Sequence, residues 1–348
     1  MNLVYDDIIY SLQKSGGGSV YWTEVIRPTL STAKHYVYDN ANQNIFYKQI
    51  TMNNRIVLSS KLFLLKRFIN PRHEIKEPHI FHSSYFRYSR DKSAVNITTV
   101  HDFTVEKFGR GLHARAHIIQ QKMAVKNSRG VICVSENTKK DFLEYYPWYK
   151  GRVVAIPNGY DETTYYYEQG VNKTKDVLFV GARTNYKRFD IAVKIVSKIP
   201  ECRLVIIGGG NLTDDEKRIV EAELHGRYEK KGFITNEELR HLYNSAFFLC
   251  YPSEYEGFGI PLLEAQACGC PVLCQNKSSI PEVVQESAIY IESSDLEKAV
   301  VSAKLLFDET VYSDYVSRGL ENVKRYSWTK SANSHQQFYK EMWEEYCK

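Results

Sequence analysis

No stretch of this 348-residue sequence reaches the roughly 18 to 20 consecutive apolar residues that a membrane-spanning helix needs. The opening residues, Met1 to Asp7, lack the charged-then-apolar pattern of a secretory leader, so the chain reads as cytoplasmic. Its seven cysteines contain no C-x-x-C pair, although Cys268 and Cys270 flank Gly269, and reduced, mostly buried thiols are expected. Asp-x-Asp triplets are missing, and no His/Cys set has metal-ligand spacing, which argues against a bound divalent metal or a resident cofactor. No Ser/His/Asp or activated-cysteine arrangement stands out, so no protein nucleophile is assigned. Short-period repeats and low-complexity segments are also lacking.

What is present is a folded globular composition, 43% hydrophobic and 25% charged, in a chain about twice the length of one domain. The net charge is +5, but it is unevenly spread: from Arg55 to Arg129 there are fifteen Lys/Arg against five Asp/Glu. Within that region Lys61 to Ile69 mixes cations with large apolar side chains, which suits either a helix lying at an anionic lipid surface or a core-packing helix with a solvated basic edge.

Apolar runs suited to strands recur, each followed by a polar loop and a helical stretch: Leu3 to Tyr5, Val95 to Val100, Gly130 to Val134 and Val153 to Ile156 in the first half. Asp176 to Gly181, Arg203 to Gly210, Ala246 to Tyr251 and Pro271 to Cys274 follow in the second. This alternation predicts two parallel α/β sheets. Gly16-Gly17-Gly18 is expected to stop any helix. A boundary falls near residue 165, giving a first domain over 1–165 and a second over 166–329, and a helix from about 330 to 348 is expected to return to the first. Sheets of this kind bind ligands beyond the carboxyl ends of their strands, which in a two-domain chain can face a central cleft.

The most informative segment is Tyr251 to Ala265, in which Glu256 and Glu264 lie eight apart. Gly257 and Gly259 let a ligand approach around Phe258, and Ile260 to Ala267 reads as a helix with Pro261 in its first turn. Two carboxylates so spaced can accept hydrogen bonds from sugar and ribose hydroxyls. A solvated acidic loop and a glutamate answering a helix dipole remain the plainer reading. Between a strand and a helix, Gly181 to Asp190 offers Arg183 as a planar fork, Lys187 as a compact charge and Arg188 as a weaker third cation, a set able to neutralise a diphosphate; taken alone it is also an ordinary basic turn. His101 and Asp102 end a strand of the first half, Asp102 reading as a capping residue; Ser135 reads as a helix cap. Gly208-Gly209-Gly210 lacks the spacing of a dinucleotide fingerprint and is expected to border a nucleotide base.

The segment from Glu256 to Glu264 resembles the E-x7-E signature of the retaining glycosyltransferases of family 4, and the likeness continues through Ala267 to Val272 and Ser278 to Val283. The resemblance implies a GT-B architecture, two Rossmann-like domains with parallel sheets facing a central cleft, the first on the acceptor side and the second holding a nucleotide-diphosphate sugar. It implies Glu256 on the donor hexose, Glu264 on the ribose, Arg183 and Lys187 on the diphosphate, and His101 facing the sugar near its anomeric carbon. Gly17 and Gly18 are similar to a Gly-Gly-Ile-Ser-Arg run of the family, but Gly18 and Val20 stand where Ile and Arg would, so the arginine's role does not carry over. Metal-independent, front-face hexosyl transfer with retention follows, mannosyl being favoured and GDP-mannose or a UDP-hexose suiting as donor. The acceptor is expected to be a saccharide, lipid-linked in surface polysaccharide synthesis, with the chain peripheral at the inner membrane face. A nucleotide-sugar isomerase or hydrolase on the same scaffold is a first alternative, and a nucleic-acid-binding protein using the basic region a second.

Overall fold

Short strands, five of them fully buried, alternate with helices throughout the computed structural model, which describes residues 1–347. The chain divides into two units: one comprises Met1–Asn158 and the stretch from Trp328 onward, the other Gly159–Ser327. The division falls at Asn158, ahead of the position near 165 read from the sequence. Tyr165 explains the difference, since its ring packs edge-on against Tyr243 of the second unit, 6.1 Å between centroids.

The first unit holds β1 (Leu3–Asp6), β2 (Lys34–Tyr38), β3 (Asn54–Leu58), β4 (His79–Ser83), β5 (Ala94–Val100), β6 (Gly130–Cys133) and β7 (Arg152–Ala155). They form one sheet in the order β3-β2-β1-β4-β5-β6-β7, every pair parallel. The order reverses between β1 and β4, so the loops following those two strands diverge to opposite sides and leave room above them. There Asp6, fully buried, accepts from the equally buried Arg87, whose Nε lies 2.8 Å from Oδ2, and from the Ser83 hydroxyl at 2.7 Å. Arg87 also donates to the Tyr38 hydroxyl at 3.0 Å. Asp7 takes the Trp22 indole N–H at 2.6 Å and lies 2.9 Å from His35 Nδ1.

The helix Trp328–Tyr346 belongs to this unit. Its buried Tyr339 hydroxyl lies 2.7 Å from His82 Nδ1 on β4, and His335 Nε2 lies 2.8 Å from the Tyr21 hydroxyl. Burial pushes the pKa of His335 down to about 4 and that of His82 well below its ordinary value. Both rings are therefore neutral at pH 7.

Two expectations are corrected in this unit. The glycine triplet does not stop a helix but starts one, Gly17–Ile26, because Gly16 at φ 148° turns the chain into it and Tyr21, Trp22, Val25 and Ile26 bury its inner face. Lys61 to Ile69 does not form the expected helix: only Phe63–Lys66 makes a turn, since Leu62 takes a left-handed conformation at φ 60° ahead of it.

The second unit carries β8 (Asp176–Val180), β9 (Arg203–Ile207), β10 (Tyr228–Lys230), β11 (Phe248–Tyr251), β12 (Val272–Gln275) and β13 (Ile289–Ile291). Their order is β10-β9-β8-β11-β12-β13, again all parallel. Val177 and Phe179 of β8 pack with Leu204 and Ile206 of β9 under Ile191, Ile195 and Val196 of the helix Phe189–Ser197. Each such aliphatic side chain contributes about 1.5 to 3 kcal/mol by leaving water. All seven cysteines are free thiols, six of them buried. No helix among the described residues is long and apolar enough to cross a membrane.

Candidate functional site

In the second unit the strand order reverses between β8 and β11, and the loops that leave their carboxyl ends carry the residues singled out in the sequence. After β8 the chain makes a 3-10 turn, Asn185–Lys187, and Arg188 at φ 50° directs it into the helix Phe189–Ser197. After β11 it runs through Ser253 and Glu256 to Gly259, where φ 102° opens the helix Ile260–Ala267; a Cβ at Gly259 would sit 2.8 Å from Leu262 Cδ1. The backbone conformation favours glycine there, and a side chain would also have to displace the end of Leu262.

These two loops are fastened together. The Glu254 N–H donates to the Tyr186 carbonyl at 2.7 Å, and Arg188 Nη1 reaches the Glu254 carboxylate at 2.7 Å while its other donors hold Asp190. Arg188 is thereby a structural tie. Lys187 Nζ contacts Glu256 Oε1 directly and lies 3.4 Å from the Tyr251 hydroxyl, with the Tyr251 ring centroid at 5.3 Å. The pair is mostly but not fully sealed from water, with 15% and 11% of the two side chains exposed. The loop after β12 holds Glu256 from behind: the Glu256 N–H donates to Ser278 Oγ at 2.9 Å, and Ser279 Oγ donates to the Glu256 and Phe258 carbonyls at 2.9 and 3.1 Å.

Glu264, on the helix that follows, accepts from the Tyr243 hydroxyl at 3.4 Å. Burial of its carboxyl, aided by the neighbouring Asp161 and only partly opposed by Tyr243, pushes its pKa up to about 7. Because that value lies above the ordinary 4.5, its protonated form favours folding: the contribution is full below 4.5 and is lost as pH rises through about 7.

Arg183 is engaged elsewhere. Its Nε donates to Glu216 at 2.9 Å, Nη1 to the Gly208 carbonyl at 2.7 Å, and Nη2 to the Gly209 and Asn211 carbonyls at 3.0 and 2.7 Å. The site therefore joins Lys187 to Glu256 and ties Arg183 to the glycine triplet after β9, with no hydrogen bond from Arg183 to Lys187, Glu256 or Glu264. Glu216 carries no sequence signal of this role; it also completes a reciprocal cap with Thr213. Tyr243 and Tyr251 were missed for the same reason, being ordinary aromatics of a helix and a strand until folded.

In the first unit His101 follows β5, its ring edge-on to Tyr21 at 4.7 Å, and burial lowers its pKa, with Asp102 opposing that shift. Asp102 Oδ1 caps the next turn by accepting from the Thr104 N–H at 2.8 Å, and Ser135 caps the helix Glu136–Tyr145 through the Thr138 N–H. Gly17 and Gly18 open the helix Gly17–Ile26, which has no side-chain cap at Gly16. Among the described residues no group of three His, Cys, Asp or Glu could hold a metal ion.

Residues 33–164 match the model described as Glycosyltransferase Family 4, and residues 167–314 the model described as Glycosyl transferases group 1. Over 100 residues, 28% of this chain and 26% of that protein, the sequence is 40% identical to the O-antigen chain mannosyltransferase B of Escherichia coli, so the match spans about a quarter of that relative. It is 29% identical over 211 residues to the O-antigen chain mannosyltransferase RfbU of Salmonella typhimurium, covering 60% of this chain and 58% of that one. In structure it is similar to Anabaena HepE in complex with UDP-glucose, with a TM-score of 0.73 at 13% identity over 98% of this chain and 100% of that one.

Proposed function

The chain belongs to the glycosyltransferases of family 4 with the GT-B fold, and from that premise we propose that it moves a hexosyl group, mannosyl by preference, from a nucleotide-diphosphate sugar to a saccharide acceptor. The observation that carries the reading is the Lys187–Glu256 pair at the reversal point of the second sheet. A cation and a carboxylate held in mutual contact are set to separate onto one ligand, the ammonium taking a phosphate oxygen and the carboxylate a sugar hydroxyl. Each partner is then satisfied before and after binding.

Lys187 neutralises the departing diphosphate, where charge grows as the glycosidic bond breaks. Arg183, held by Glu216 and the Gly208 and Gly209 carbonyls, is assigned to the same diphosphate, which it would reach by exchanging those partners. Glu256 orients the hexose, Gly257, Phe258 and Gly259 supply main chain at close approach, and Glu264 accepts from the ribose. In the first unit Gly17 and Gly18 offer amide donors to phosphate, and His101, kept neutral by burial, is assigned to the sugar near its anomeric carbon. Transfer proceeds on one face with retention and without a metal, the donor phosphate receiving the acceptor's proton. The mannosyl preference is supported by the two O-antigen mannosyltransferases, and UDP-hexose is the second choice through HepE. The acceptor is proposed to be lipid-linked, in polysaccharide assembly at the inner membrane face.

Thermal shift against a panel of nucleoside diphosphates and their sugars tests this reading, since a ligand selective for the folded state raises its stability by mass action. GDP and GDP-mannose are expected to give the largest shifts; no shift with any member of the panel would remove the donor site. The Glu264 carboxyl adds a pH test. Only its ionised form accepts from both ribose hydroxyls, so nucleotide affinity should rise several-fold from about pH 6 to about pH 8. Calorimetric titration of Glu264→Gln should give a weaker and pH-independent Kd, and an unchanged pH slope would take Glu264 out of the ribose site.

A further inference from the structure

The helix Gly111–Lys126 of the first unit buries Ala114, Gln121, Ala124 and Val125, and presents the opposite side outward. On that side Leu112, Ile119 and Met123 follow one another at spacings of seven and four, one stripe on a helix, and all are exposed, Leu112 at 82%. Arg115, Lys122 and Lys126, also exposed, run along one flank of the stripe, and the helix has no acidic residue. Because small apolar residues line the inner face as well, the outer stripe is hidden from a periodicity reading of the sequence.

Along the other flank lies the segment first read as a helix of its own. Gln120 Nε2 donates to the Arg67 carbonyl at 2.9 Å, which fastens this segment beside the stripe. Leu62, Leu65, Phe68 and Ile69 are exposed there, Leu62 at 66%. An apolar loop, an apolar stripe and a row of cations thus lie side by side on one unit.

We infer that this composite face docks the chain on an anionic lipid bilayer, the loop and the stripe entering the headgroup and acyl boundary while Arg115, Lys122 and Lys126 meet lipid phosphates. Charge complementarity selects this occupant: a row of cations with no acidic side chain on its helix suits an anionic sheet, whereas two copies of the face would set like charges together. Docking would bring the chain to the lipid-linked acceptor proposed above; its purpose rests on that reading, while its geometry does not.

Co-sedimentation of the full chain with vesicles tests the inference. The wild type should pellet with phosphatidylcholine vesicles carrying about 30% phosphatidylglycerol and stay in solution with phosphatidylcholine alone, and about 0.5 M salt should weaken binding markedly. Leu112→Glu/Ile119→Glu and Leu62→Glu/Leu65→Glu should each reduce partition about ten-fold. Val301→Glu, at an equally open apolar position of the second unit, should bind like the wild type. Undiminished binding by both double variants, or no pelleting of the wild type, would overturn the inference. So would light scattering that finds a dimer which Leu112→Glu/Ile119→Glu dissociates. Nucleotide thermal shifts retained in the variants show that the fold is intact; vesicle binding without any nucleotide shift would keep the docking face and reject the transferase reading.

Discussion

Lys187→Ala is expected to lower kcat/KM for the nucleotide sugar by about 10²- to 10³-fold, the usual loss when one group stabilising developing charge is removed. Among the described residues this side chain is the one cation paired with Glu256, and Arg183 cannot replace it without leaving the Gly208 and Asn211 carbonyls that hold it. Stability should fall by about 1 to 3 kcal/mol, because Glu256 loses its partner while keeping only partial access to water. Glu256→Ala should be as damaging. The double variant should cost far less than the sum of the two, since both groups serve one bound donor. Steady-state kinetics with the donor identified by thermal shift decides the matter. A Lys187→Ala enzyme within a few-fold of wild type would place the diphosphate elsewhere.

Asp6→Asn is expected to have the largest effect on stability, about 3 to 5 kcal/mol, because it leaves the Arg87 guanidinium buried without its counter-charge. The exchange Asp6→Leu/Arg87→Met should recover much of that loss, since it removes both charges together. Tryptophan fluorescence during urea unfolding reads this cleanly: all four tryptophans, 22, 148, 328 and 343, lie in the first unit. The transition of Asp6→Asn should move to lower urea while the second unit, free of tryptophan, contributes nothing to the signal. An unchanged midpoint would mean that water reaches Arg87.

The sequence disclosed eight strands as apolar runs closed by turn residues and concealed β2, β3, β4, β10 and β13. β2 and β4 carry His35, His79 and His82, and all three are fully buried. A histidine in a core strand is tolerated when a partner meets it, here Asp7, the Glu77 carbonyl and the Tyr339 hydroxyl, and two of those partners, Asp7 and Tyr339, are distant in sequence. β10 was hidden because Tyr228, Glu229 and Lys230 form a half-exposed edge. In the site, Glu256 and Lys187 were legible from their positions after strands. The attachment of Arg183 to Glu216 was not, since an arginine's partner is chosen by the fold. Lys61 to Ile69 shows the same limit: its composition was read correctly as apolar and basic, but the left-handed Leu62 and the Gln120 tether decided its shape.

The first unit is assembled from both ends of the chain, because the helix Trp328–Tyr346 completes a core that begins at Leu3. A ribosome delivers that helix only after all of Gly159–Ser327 has emerged. During synthesis the seven-stranded sheet must therefore wait with His82 and Tyr21 lacking the Tyr339 and His335 partners they later acquire. The later-encoded unit can meanwhile close its own core, so the order of maturation runs opposite to the order of translation.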